Sequence, residues 1–349
     1  MSENYIQSIK NVLETLIDGK ADALGLERVT VKDALTLRPP RNENWGDLCT
    51  NILLVLCAED SGKREALAPA FLGGLKEIPT VSSATLSGAG YINIKIRPDY
   101  WAEQLPDILN KGIEYGLGAG APGADIIVTR PEHAEDLLSA RQLWNGEVLE
   151  KLARLSNADV TFEPWHADDA KGFATSVAAA KCTYSRLRLA LLSNGSDFAK
   201  NFSPVLAVDR AYSNPVFCIP FAHARITALM DTIRKDVIAK KNTDLELVEV
   251  LGELNLSVPI EQKIAKFLCH WPMTVTKTLN EGDAVYLATY LHDLSLLFFQ
   301  LVKDVRPQST EYLTEKNTNV ARQVLLQTID KLICGGLDLL GIDRVEELN

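Results

Sequence analysis

Paired cysteines are missing: the six cysteines, Cys49, Cys57, Cys182, Cys218, Cys269 and Cys334, form no CxxC pair and mostly stand among apolar residues. They are expected to be small buried thiols in a reducing cytoplasm. The stretch after Met1, SENYIQSIKN, has neither a basic n-region nor an apolar h-region, so no secretory signal is readable. No apolar run is expected to be long enough to span a membrane. Positive charge is also short: the formal net charge of −10 opposes generic adhesion to nucleic acid, DNA included, because sequence-independent binding rests on Lys and Arg neutralising phosphates. An RNA site in this chain must be local. Phosphate loops and metal clusters are absent as well. GLGAGAPGAD lacks a following lysine, Cys269-His270 has no partner motif, and His166 with Asp168 and Asp169 is a weak three-residue coincidence. No cofactor and no structural metal are expected.

What is present is a chain of 349 residues, 46% hydrophobic and 23% charged, which suffices for the cores of two or three domains. A helical pattern (Ile6, Ile9, Val12, Leu13, Leu16) leads to LRPPRNENWGDL, where Pro39 and Pro40 exclude helix. A helix from Asn51 buries Ile52, Leu53, Val55 and Leu56, and another spans Leu67 to Leu75. ATLSGAGYINIKI then forms a strand in which Tyr91, Asn93 and Lys95 alternate with Ile92, Ile94 and Ile96. Helices followed by alternating strand predict an α+β domain over 1–112.

The glycine-rich GIEYGLGAGAPGAD has the composition of a linker. Beyond it, the strand IIVT, a helical pattern from Ala134 to Leu155 and the strand DVTFEPW predict a small βαβ unit within 124–190, too short for a complete nucleotide-binding domain. Its sheet edges would favour pairing with a partner or with a second copy of itself. The segment 200–349 is predicted to be an all-α bundle. Leu287, Leu291, Leu294 and Phe298 share a face of one helix, which Asp283 could cap. Another helix carries Val320, Val324, Ile329 and Ile333 and is expected to end at Gly335-Gly336 in a left-handed cap. The fold class is therefore multidomain α+β with a helical C-terminal part.

Three stretches resemble the arginyl-tRNA synthetase family, in the order that family uses them. PPRNENWGDLCTN followed by SGAGYINIKI is similar to its additional N-terminal domain, which contacts tRNA at the D-loop corner; the pattern GPGFIN becomes GAGYIN. SNPVFCIPFAHARI is similar to NPVYYVQYAHARI, at the entrance to the helical anticodon-binding domain. LATYLHDLSLLFFQL and GLDLLGI fit the end of the same domain, called DALR after a motif whose arginine would fall on Arg188. The resemblance implies an N-terminal α+β tRNA-binding domain, a reduced Rossmann-like α/β remnant and a DALR bundle.

The catalytic signatures do not accompany the rest. The family's NPTGPLHVGHARG should align with RPEHAEDLLSARQ, which puts Asp136 and Ser139 where the two HIGH histidines belong, Leu137 between them and Leu138 at the glycine. In place of KMSKS stands WHADDAKGF, where Asp168 and Asp169 add negative charge and Lys171 is the one cation. The block between these signatures is nearly absent. His133, beside Glu132, Glu135 and Asp136, is expected to be a solvated loop residue. The resemblance thus implies no working catalytic residues.

The implied tRNA-binding residues are Trp45, Tyr91, Asn93, Phe221, His223, Arg225 and Tyr290. Tyr91 and Asn93 could stack on and hydrogen-bond an unpaired base, or form an ordinary exposed strand face. Phe221 and Arg225 stand one helical turn apart, so they share a face that His223 does not; His223 could be a packing histidine. Tyr290, His292 and Phe298 could as well be core, and Phe298 is taken as core. Arg234-Lys235 with Lys240-Lys241 could meet phosphates or solvate a helix end. The expected activity is binding of tRNA, arginine acceptors first, without aminoacylation and without a cofactor; the rivals are a residual or partner-dependent arginine–tRNA ligase or aminoacyl-transfer enzyme, and a protein-interaction module acting on a synthetase. A tRNA-modifying enzyme or a synthetase is the expected protein partner.

Overall fold

The computed structural model describes residues 5–20, 31–32, 34–57, 60–88, 90–117, 126–134, 136–158, 160–164, 184–195, 209–239, 256–305 and 316–344. The packing divides the chain into two compact units, Met1–Tyr100 and Trp101–Asn349.

In the first unit, α1 (Tyr5–Asp18) buries Tyr5, Ile9, Leu13 and Ile17, a strict four-residue spacing that forms one apolar stripe. The stripe faces α3 (Ser61–Lys76), which follows the short α2 (Ile52–Cys57). α2 buries Ile52, Leu53, Leu56 and Cys57, while Val55, expected inside, is half-buried. The four-stranded antiparallel sheet has the order β1 (Leu37–Arg38), β2 (Leu48–Thr50), β4 (Tyr91–Ile96), β3 (Val81–Ser87).

The single strand expected over ATLSGAGYINIKI is a hairpin, β3 paired to β4. The chain reverses at Gly90, where φ is +97° and a Cβ would stand 2.8 Å from Arg64 Cδ, so both the backbone and the space require glycine. The alternation within β4 is as expected: Ile92, Ile94 and Ile96 are buried, whereas Tyr91 and Asn93 are half-buried and Lys95 is exposed.

The second unit begins at Trp101, not near residue 112. α4 (Tyr100–Glu103) spans the boundary, and α5 (Leu105–Lys111) packs on the last helix, α12 (Lys316–Leu340). Ile113 O accepts the Trp271 indole N–H at 2.8 Å. β5 (Ile126–Arg130) pairs parallel with β6 (Val160–Pro164) across α6 (Leu137–Leu155), a βαβ unit as its alternating pattern predicts.

Among the described residues the unit also contains the helices α7 (Tyr184–Leu192), α8 (Pro215–Ala239), α9 (Pro259–Leu268), α10 (Trp271–Glu281) and α11 (Val285–Val305). The expected separation of 124–190 from 200–349 is not a division in packing, because α6 is tied to the bundle by charge-assisted bonds. Buried Arg141 donates from Nη2 to both carboxylate oxygens of Asp283, at 2.7 and 2.8 Å. Asn145 accepts from Ala284 N at 2.7 Å and donates to Gly282 O at 2.9 Å. Lys151 Nζ donates to the carbonyls of Asp338 and Leu339 at the C-terminal end of α12, where a cation is favoured.

Asp283 does cap α11, accepting from Val285 N at 2.9 Å. By length and composition α11 is apolar enough to cross a membrane, contrary to expectation. Leu287, Leu291, Leu294 and Phe298 of that helix are all buried inside the bundle. Gly335 and Gly336 do not end α12, which continues to Leu340. They are contact glycines: a Cβ would stand 2.4 Å from Ile113 Cγ2 at Gly335 and 2.5 Å from Leu291 Cδ2 at Gly336. The left-handed residue is Gly341, at φ +70°.

Candidate RNA interface and the capped end of the central helix

The first unit presents an outer sheet face opposite its buried isoleucines. Register sets Arg38 beside Cys49, Cys49 beside Asn93 and Asn93 beside Thr85, so one row across all four strands carries an exposed cation, a buried thiol, a half-buried amide and an exposed hydroxyl. Tyr91 and Lys95 belong to the same face of β4. Arg38 was not among the residues singled out from sequence, since two residues of strand between loops carry no periodicity. Trp45 is 55% exposed. Its loop is held against β4 by Asp47, whose carboxylate accepts from Ile96 N at 2.7 Å and whose own N–H donates to Ile94 O at 2.8 Å.

In the second unit the expected residues separate. Phe221 is half-buried and Arg225 exposed, both on one side of α8, while His223 on the opposite side is buried. Phe221 belongs to a ring cluster. It stacks on Phe217 at 4.9 Å between centroids and on Phe299 at 5.4 Å, and Tyr212 lies 4.6 Å from Phe299. Tyr212 is 50% exposed and closes the outer end of the cluster, its carbonyl 2.8 Å from His292 Nε2. Half-exposed rings of this kind offer faces of the type on which unpaired bases can stack, and Arg225 lies exposed one turn beyond Phe221. Phe217, Phe221 and Arg225 follow a four-residue spacing that sequence could have revealed. Tyr212 and Phe299 carry no such signal.

Two expected contacts are corrected. Tyr290 is a core residue: its ring stacks on Phe267 at 4.7 Å, its hydroxyl donates to Phe267 O at 3.2 Å, and burial raises its pKa well above the usual phenol value. No ring face is left for a base. His223 is a packing histidine, with Nδ1 2.7 Å from Asp330 Oδ1 and 3.3 Å from Cys334 Sγ. The hydrogen bonds to Asp330 and then Cys334 push its imidazole up to about 10 against the effect of burial.

Where the resemblance would place the HIGH motif, the N-terminus of α6 is closed by its own side chains. Asp136 is the N-cap: its Oδ1 accepts from Ser139 N at 2.7 Å, while Asp136 N donates to Ser139 Oγ at 2.9 Å. Asp136 and Ser139 are only 5% and 4% exposed, and Leu137 is buried beside them. This reciprocal box satisfies helix N–H groups that would otherwise face an anion. Leu138 is half-buried, and His133 stands in the exposed turn ahead of the cap. The stretch with His166, Asp168, Asp169 and Lys171, and the side chains of Arg234, Lys235, Lys240 and Lys241, lie outside the described residues.

Residues 3–96 match the arginyl tRNA synthetase N terminal domain, and 219–348 match the DALR anticodon binding domain. Neither match includes Arg188, whose buried guanidinium instead donates to Leu340 O at 2.6 Å and pairs with Glu147 at 2.8 Å. The arginine–tRNA ligase of Bartonella henselae is 31% identical over 175 residues, covering 48% of this chain and 29% of that protein. The ligase of Novosphingobium aromaticivorans is 27% identical over 254 residues, covering 67% of this chain and 43% of that protein. The chain therefore spans less than half the length of these curated relatives. The arginyl-tRNA synthetase of Thermus thermophilus superposes with a TM-score of 0.64 at 12% identity, covering 97% of this chain and 100% of that one, which establishes likeness of fold.

Proposed function

We propose, for a chain that at both ends belongs to the arginyl-tRNA synthetase family, that it binds tRNA, arginine acceptors first, without activating arginine. The observation that carries this reading is the contrast between the two kinds of site. The nucleotide-facing helix end is filled by the Asp136–Ser139 box, whereas the outer sheet face and the Tyr212–Phe221–Phe299 cluster remain open to solvent. In this reading Trp45, Tyr91 and Asn93 meet the D-loop corner, and Phe221 with Arg225 meets the anticodon stem-loop. A cytoplasmic protein of this kind would present tRNA to a modifying enzyme or a synthetase.

Sequencing of RNA that co-purifies with the native protein tests it. Arginine acceptors should be enriched, and the enrichment should fall when Tyr91→Ala and Asn93→Ala are combined. Enrichment of no tRNA over random RNA would overturn the reading. The second unit is tested separately by filter binding. Phe221→Ala should weaken tRNA binding by about 1–3 kcal/mol, the worth of one base stacked on an aromatic ring. Tyr290→Phe, which alters only a buried hydroxyl, should leave it unchanged.

The net charge of −10 favours one second reading, a module that binds a synthetase through these surfaces. Co-purification of a synthetase that survives ribonuclease treatment would support it.

A further inference from the structure

The described residues contain one group of side chains whose donor atoms could surround an ion. His223 projects from α8, and Asp330 and Cys334 stand one turn apart on the facing side of α12; one ligand atom from each lies within 4.8 Å of the other two. We propose that His223 Nδ1, the Asp330 carboxylate and Cys334 Sγ bind a single zinc-class divalent ion that pins α8 to α12.

The geometry is close to what such an ion requires. Zinc bonds of about 2.0–2.3 Å in a tetrahedron separate neighbouring donors by roughly 3.3–3.8 Å. The Nδ1–Sγ distance is 3.3 Å and the distance from Sγ to Asp330 Oδ2 is 3.8 Å. The Nδ1–Oδ1 distance of 2.7 Å is that of a hydrogen bond and must lengthen by less than an ångström as the ion replaces the shared proton. A thiolate, an imidazole and a carboxylate form a borderline-soft set suited to zinc or cobalt; magnesium and calcium demand oxygen ligands.

The surroundings supply access and a fourth position. Asp330 and Cys334 line an open cleft of about 700 Å³, together with Lys111, Asp231 and Lys331. A water or an incoming ligand would complete the coordination from that side, while His223 and Cys334 are themselves buried, at 6% and 9% exposure. Asp338, one turn beyond Cys334, is engaged by Arg344 and is not free to serve. The site has a consequence for the interface, because His223 lies between Phe221 and Arg225 on α8. Fixing its ring on α12 would fix the orientation of the face that carries both.

The test uses the full chain, reduced and stripped with chelator, titrated with cobalt(II) alone and then with zinc(II). One equivalent of cobalt should produce a thiolate-to-cobalt charge-transfer band and the intense visible bands of a tetrahedral site, both abolished by one equivalent of zinc. Zinc should also protect Cys334 from alkylation. The charge-transfer band should vanish in Cys334→Ser, and the site should weaken in Asp330→Asn, which keeps the volume and a hydrogen-bonding amide should the serine variant fold poorly. Absence of the band in the native chain would overturn the proposal and leave a His223–Asp330 ion pair only. Persistence of the band in a folded Cys334→Ser variant would overturn it equally, by assigning the ion to another cysteine.

Discussion

Arginine-dependent ATP–pyrophosphate exchange by the purified chain is expected to stay at background, at least about ten-thousand-fold below a working synthetase. Each preorganised donor lost from a site of developing charge costs about 3 kcal/mol of transition-state stabilisation. In the proposed reading both imidazole positions are changed, and the Asp136 carboxylate caps the helix end that this reading assigns to phosphate. Restoring the imidazoles by combining Asp136→His with Ser139→His should not restore exchange. The double change removes the capping box, at about 0.5–2 kcal/mol of stability, and restores nothing of the relatives' length that this chain does not span. Exchange that depends on arginine and approaches ordinary synthetase rates would sink the pseudoenzyme reading, while leaving the tRNA-binding reading to its own test.

Arg322→Ala is expected to destabilise the second unit by about 3–5 kcal/mol, the cost of leaving one member of a buried ion pair without its partner. Arg322 Nε donates to Glu261 Oε1 at 2.7 Å, and the two side chains are only 8% and 0% exposed. The other Glu261 oxygen accepts from Val258 N at 3.3 Å, so the same carboxylate caps α9 while joining it to α12. Alanine at 322 would leave that charge in the interior with a single backbone donor. Combining Arg322→Met with Glu261→Gln should recover much of the loss, since no charge is then buried and the amide can still accept from Val258. Urea denaturation measures both. A single-variant cost below about 1 kcal/mol, the range of exposed pairs, would contradict the burial on which the expectation rests.

The separation of binding residues from core residues shows where sequence stops being informative. Phe221, His223 and Arg225 occur within five positions, and helical geometry alone puts the first and last on one face. Which face meets solvent depends on α12, which covers the His223 side with Asp330 and Cys334. Tyr290 and Phe299 both belong to the aromatic-rich α11, yet one is sealed beneath Phe267 and Trp271 and the other joins the open cluster with Tyr212. The difference follows from their neighbours, 19 or more residues away in the chain. Gly335-Gly336 misled for the same reason: glycine marks a helix end in sequence, but here it permits Ile113 and Leu291 to approach an uninterrupted helix.

By itself the sequence determined the alternation of β4, the existence of the helix α1 and the βαβ order of 126–164, because each is a local pattern with a period of its own; which face of α1 is buried, Tyr5, Ile9, Leu13 and Ile17 in place of Ile6, Val12 and Leu16, was left to packing. Tertiary structure alone decided that Arg38 joins Asn93 across the sheet, that Arg141 and Lys151 bind α6 into the helical bundle, and that His223 meets Asp330 and Cys334. Those groups are joined by strand register and helix packing, which bring together side chains that share no spacing along the chain.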